Sequence, residues 1–190
     1  MSLLFQIILN QEEDNFEGLY ILSVCQRYLQ KFNLALQTLE KIKLLDPDYG
    51  RAYQEEGHIH RQNRAIAEAI EAYHQAVFRN PALLSCWQAL ANLYQQQANH
   101  SAAQEMRAQV QYLSALPIEL LSVNSMIYEK KLYKAEQLCR SFLQKTPHHV
   151  EAMRLLADIG VKMQVLDDAE FLLESCIDFQ PENTVARFNY

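Results

Sequence analysis

Glycine and proline are scarce in this chain, with four and five among 190 residues. An all-β fold with many tight turns needs more of both, and a phosphate-cradling loop needs clustered glycine, so helices are favoured. Cysteine is sparse too. Cys25, Cys86, Cys139 and Cys176 are far apart and form no C-x-x-C pair, so neither a zinc site nor a disulfide framework is suggested, and reduced, packed thiols are expected. Basic charge is also limited, with 17 Lys and Arg against 23 Asp and Glu and a net charge of -6. The only basic run is the short "KKLYK" at residues 130–134, so nucleic acid is not an expected partner.

No stretch approaches the roughly 20 apolar residues of a membrane span. The N-terminal "MSLLFQIILNQEED" has a short apolar run broken by Gln6, with no basic residue ahead of it and no small-residue cleavage site behind it, so it does not read as a signal peptide. A cytoplasmic location is expected. G-x-S-x-G, G-x-x-x-x-G-K-[ST], H-E-x-x-H and G-x-G-x-x-G are all missing. His58 and His60 diverge on a helix, and His148 and His149 adjoin at a helix start, where solvated histidines are common. Neither catalysis, a metal nor a cofactor is expected of these residues.

What is present is a period. Pro47 to Pro81 spans 34 residues, Pro147 to Pro181 again 34, and Pro81 to Pro147 spans 66, two short of a doubled 34. In that frame "LSCWQALANLY" places Trp87, Leu90, Ala91 and Tyr94 on one helical stripe, with Ala103 opening a second helix after the polar "QQQANHS". The unit before it supplies Tyr53, Gly57, Ala69, Tyr73, Ala76 and Pro81; the last complete unit supplies Met153, Leu156, Ala157, Ala169, Leu173, Cys176 and Pro181. At that spacing the aromatic Trp87 is a packing residue rather than a ligand platform. Cys139 and Cys176 take interior slots held by Tyr73 and Ala76 elsewhere, and Cys25 and Cys86 take those of Ile59 and Ala52, so all four should act as small hydrophobes.

The pattern W-x2-L-[GA]-x2-Y followed by Ala resembles the tetratricopeptide repeat family, a helix-turn-helix module of 34 residues, over nearly the whole chain. The resemblance implies an all-α, right-handed superhelical solenoid of antiparallel helix pairs. As each pair has an apolar face too large to hide alone, the pairs must stack. Five hairpins are expected at 16–47, 50–81, 84–113, 117–147 and 150–181, with a partial preceding helix at 2–10 and a truncated sixth unit at 184–190. The third is irregular: Arg107 stands where an aromatic is expected, and the apolar positions shift to Met106, Val110 and Leu113. The chain ends in mid-helix at "ENTVARFNY", so it reads as a segment of a longer protein.

Such an array offers a groove lined by its first helices. The expected lining is Arg27 in the first unit, Arg51, Gln54, Glu55, His58 and Arg61 in the second, and Gln88, Asn92 and Gln95 in the third. Amides can pair with the backbone of an extended peptide, and arginine suits carboxylates, so a peptide or a protein segment is the expected occupant. A merely solvated polar face is the alternative. Some members of the family grip a terminal carboxylate with a lysine and an asparagine; here Asn92 holds the asparagine slot but Gln88 replaces the lysine.

The phrases "YILSVCQRYLQKFNLALQTLEKIKLLDPDYGRAYQEEGH", "RNPALLSCWQAL" and "HVEAMRLLADIGVKMQVLDDAEFLLE" resemble the repeat region that precedes the catalytic domain of bacterial tetratricopeptide-repeat sulfotransferases. That implies a recruiting or assembly module, with the transfer of sulfate from 3'-phosphoadenosine 5'-phosphosulfate carried by a C-terminal domain outside this chain, itself a possible partner. The alternative is a stand-alone scaffold or adaptor in secretion or envelope assembly.

Overall fold

The computed structural model describes residues 16–179, and they form ten helices with no strand among them. These are α1 (Phe16–Tyr28), α2 (Phe32–Leu45), α3 (Gly50–Gln62), α4 (Ile66–Arg79), α5 (Leu84–Gln96), α6 (His100–Ser114), α7 (Ile118–Tyr128), α8 (Leu132–Lys145), α9 (Val150–Lys162) and α10 (Leu166–Phe179). The architecture is an all-α solenoid of helix pairs. The expected helices at 2–10 and 184–190 lie outside the described residues.

Each pair turns on one residue in the left-handed region: Gln30, Arg64, Ala98, Lys130 and Gln164, with φ between 56° and 63°. Their spacings are 34, 34, 32 and 34, so the backbone carries the same period as the prolines. None of the five is glycine, although glycine alone enters that region without cost. Each turn is closed in the same way. The amide after the left-handed residue donates back five residues, as Lys31 does to Gln26, Ala65 to His60, Asn99 to Tyr94, Lys131 to Met126 and Val165 to Gly160, at 2.8–2.9 Å. Those bonds satisfy carbonyls that a helix end would otherwise leave open.

Joints between pairs use different chemistry. Asp46, Asn80 and Thr146 end the second helix of their pairs by donating their amides to Ile42, Ala76 and Phe142, and the proline that follows cannot continue the helix. The Pro47 and Pro81 carbonyls then accept from the next helix: Tyr53 Oη–H donates to Pro47 at 3.1 Å and Trp87 Nε1–H donates to Pro81 at 2.8 Å. The same slot therefore packs an aromatic and ties it to the turn before it. Met153 holds that slot after Pro147 and is buried.

The missing two residues fall in α7, which has 11 residues where α1, α3, α5 and α9 have 13. The chain divides at Val110/Gln111 into two compact units. In the first, consecutive helices from α1 to α5 pack on one another and α1 also meets α3; in the second, α7 to α10 pack likewise and α7 meets α9. One apolar cluster joins Tyr73, Ala76, Cys86 and Leu90 with half-buried Tyr53, Trp87, Tyr94 and Met106; another joins Leu120, Val123, Ile127, Cys139, Leu155 and Ile159.

Small residues set how closely the helices of a pair approach. A Cβ on Gly57 would stand 2.7 Å from the Tyr73 ring, so glycine is required there for the tyrosine to lie flat against α3. In α7 and α8 the two equivalent slots hold Val123 and Cys139, large and small exchanged, and both are fully buried. Ala157 and Leu173 fill them in α9 and α10. In the irregular third pair Arg107 is exposed and donates to Gln95 at 3.1 Å, while Met106 packs inward.

The expectation of four packed thiols needs a correction. Cys86, Cys139 and Cys176 are buried, but Cys25 is exposed. Ile59, in the same slot as Cys25, is buried because α3 packs on α2, and the described residues supply no hairpin in front of α1. Burial pushes the pKa of Cys86 and Cys139 up to about 12 and of Cys176 to about 11, so all three remain thiols. Cys139 donates to the Ala152 carbonyl one pair onward, and Cys176 donates to the Val150 carbonyl within its own pair.

Candidate functional site

The expected groove residues lie along the first helices of the first unit's pairs, α1, α3 and α5. Arg27 belongs to that set by position but not by exposure. Its guanidinium is buried, as is the Glu55 carboxylate, and Arg27 Nε donates to Glu55 Oε1 across 28 positions of sequence. The expectation that both residues face a ligand is therefore corrected: each serves the other, because a buried charge without a partner would be strongly unfavourable. The Tyr28 ring lies 4.4 Å from the Arg27 guanidinium and is itself exposed.

His58 is half-buried and tied inward. Its Nδ1 is 2.7 Å from the hydroxyl of the fully buried Tyr73. Burial, and after it the nearby Arg27 and Arg61 charges, pulls the His58 pKa down to about 4, so the ring that shares this hydrogen bond with Tyr73 is neutral. Burial likewise raises Tyr73 to about 12. His74 and Tyr94 form a second such pair at 2.7 Å, joining α4 to α5. Of the other histidines, His149 is not merely solvated: its Nδ1 accepts from Ala152 N at 3.3 Å and caps α9.

Gln54 Nε2 donates to Ser85 Oγ at 3.0 Å, linking α3 to α5. Gln95 is engaged by Arg107 and sits 3.5 Å from His100. Arg51 is half-buried, and Gln88 and Asn92 are exposed. Arg61 is exposed in the last turn of α3, and no carboxylate among the described residues pairs with it. Beside it opens a cleft of about 440 Å³ lined by Arg61, Ile66, Ala89, Asn92, Leu93, Gln95 and Gln96. Thus Arg61, Asn92 and Gln95 share one site, whereas Arg27 and His58 are engaged elsewhere, by Glu55 and Tyr73.

Ala89 has no place in a search for functional side chains, yet it shapes that cleft. The signal available in the sequence is an offset: Arg27 is followed 28 residues later by Glu55, and Arg61 is followed at the same distance by Ala89. In the second unit a smaller cleft of about 180 Å³ lies among Glu136, Arg140, Met163, Val165 and Asp168, with Arg140 Nε donating to Glu136 at 2.8 Å. No group of three or more His, Cys, Asp and Glu able to hold a metal occurs among the described residues. No described helix is long and apolar enough to cross a membrane.

Comparison with known proteins places this geometry in a fold. No family model matches the chain, and no curated protein sequence is similar to it. Solved structures do match. YrrB, described as a tetratricopeptide-repeat protein with an unusual peptide-binding site, superposes with a TM-score of 0.53 over 97% of this chain and 96% of its own, at 15% identity. A tetratricopeptide repeat protein from Parabacteroides merdae gives 0.52 over 97% of this chain and 78% of its own, at 14% identity. The shared fold is the tetratricopeptide-repeat solenoid.

Proposed function

We propose that the chain is a non-catalytic binding module that takes an extended peptide or protein segment on the polar face of α3 and α5. The observation that carries this reading is the cleft beside Arg61, lined by a guanidinium that no carboxylate among the described residues pairs with, by exposed amides and by apolar Ile66, Ala89 and Leu93. Amide side chains match the donors and acceptors of a peptide backbone, and the apolar floor gives a side chain a place to lose water. YrrB, built on the same fold, is described as having a peptide-binding site.

On this reading the module works in the cytoplasm, and the phrases quoted above favour attachment to a bacterial sulfotransferase, where it recruits the acceptor or docks the catalytic domain. The competing role is a free-standing scaffold in secretion or envelope assembly. The binding face is common to both. Its test is selection from a displayed random-peptide library, comparing the chain with a variant carrying Arg61→Glu, Gln88→Glu and Asn92→Asp. Loss of the selected peptides with an unchanged circular dichroism spectrum supports the reading; the same peptides at the same affinity would remove this face from consideration.

A further inference from the structure

We infer that the cleft beside Arg61 is a carboxylate subsite, an inference that rests on the peptide-binding reading and specifies what the peptide must bring. The repeat itself supplies the argument. Counting back from the left-handed turn residue of each pair, Arg27 stands three positions before Gln30, and Glu55 stands nine before Arg64 in the pair that follows. Those two slots face each other across neighbouring first helices, and here they form a buried ion pair.

One pair onward the first slot is again arginine, since Arg61 stands three before Arg64. The facing slot, nine before Ala98, is Ala89. The array has thus repeated the cation and omitted the anion. An alanine methyl in place of a glutamate side chain leaves room, and the cleft of about 440 Å³ has Ala89 in its wall and Arg61 at its edge. A carboxylate from outside can occupy the position that Glu55 occupies for Arg27, meeting a guanidinium whose fork matches it.

The rest of the lining fits that ligand. Leu93 and Ile66 provide an apolar wall for a short aliphatic stem, while Asn92 and Gln96 bring amide donors to the rim. Gln95 Oε1 accepts from Arg107, and its Nε2 sits 3.5 Å from His100 Nδ1, so Gln95 contributes mainly shape. An acidic side chain within a bound segment and the terminal carboxylate of a peptide share this chemistry.

The test uses the full chain and peptides recovered from a displayed random library, with affinities read by fluorescence anisotropy. Acidic residues should be enriched, and Asp→Asn or Glu→Gln in a recovered peptide should weaken binding about tenfold or more. Ala89→Glu supplies the missing anion from within and should cause a similar loss, whereas Ala89→Gln, of the same size, should cause less. Arg61→Gln, at an exposed position that does not threaten the fold, should abolish the preference for acidic peptides. C-terminal amidation of the peptide separates the sources: loss on amidation identifies the terminus, and indifference identifies a side chain. Peptides that bind without acidic preference and equally to Ala89→Glu would overturn the subsite and leave the binding face standing. A folded chain that recovers no peptide would overturn both.

Discussion

Two slots that face each other across neighbouring first helices are filled in opposite ways in the two units. In the first unit they hold Arg27 and Glu55, a buried ion pair; in the second they hold Ile127 and Leu155, both buried in one apolar cluster. The same slots are thus closed once by paired charge and once by apolar volume. Arg61 and Ala89 are the pair closed internally in neither way. Function is argued from that mismatch.

The largest expected effect comes from converting one solution halfway into the other. Glu55→Leu alone strands a buried guanidinium and should cost about 3–5 kcal/mol, and Arg27→Ile alone should cost a comparable amount. The double variant copies Ile127 and Leu155 and should recover most of that loss. Urea unfolding followed by the fluorescence of Trp87, the only tryptophan in the chain, reads the first unit. A double variant no more stable than either single one would show that the slots are not interchangeable.

Volume obeys the same logic at the Gly57 and Tyr73 slots. Gly57→Val drives side-chain atoms into the Tyr73 ring and should cost about 3 kcal/mol or more. Combining it with Tyr73→Cys, which copies Val123 and Cys139, should restore part of that stability. No recovery in the same unfolding measurement would mean that the backbone separation of the pair, and not the summed volume, is fixed.

His58 gives a pH dependence at a slot that Asp158 fills in the second unit. The His58 pKa is about 4 in the fold, below the ordinary 6.5, so the unfolded chain binds more protons between those values. Stability contributed by the neutral ring is complete above pH 6.5 and is lost as pH falls toward 4, by roughly 2–3 kcal/mol. His58→Gln should flatten that part of the unfolding profile. An unchanged slope would mean that His58 is not the group responsible.

The smallest effect concerns the turns. Ala98→Gly relieves a left-handed residue that carries a Cβ, and should stabilise the chain by about 1 kcal/mol, offset in part by the added freedom of the unfolded chain. A destabilisation would show that the turn imposes no such strain.

The sequence makes the period legible because prolines and small residues recur wherever helices stop or touch, and the all-α architecture follows from that. The turn conformations are less legible, since Gln30, Arg64, Ala98, Lys130 and Gln164 share no side-chain chemistry and only their spacing marks them. The site is legible in part. Helical position puts Arg27, His58 and Arg61 on one face, but it does not tell that Arg27 reaches Glu55 or that Tyr73 holds His58, because those contacts cross between helices. Ala89 is silent by itself; its meaning depends on what the preceding pair places opposite arginine.

The most direct measurement is the ¹⁵Nε resonance of Arg61, assigned through its loss in Arg61→Gln, during titration of the full chain with an acidic peptide recovered by display. The account predicts a saturable shift of that resonance with the binding isotherm of the peptide, absent in Ala89→Glu, while the buried Arg27 signal stays in place. Saturable binding that leaves the Arg61 resonance unmoved would contradict it.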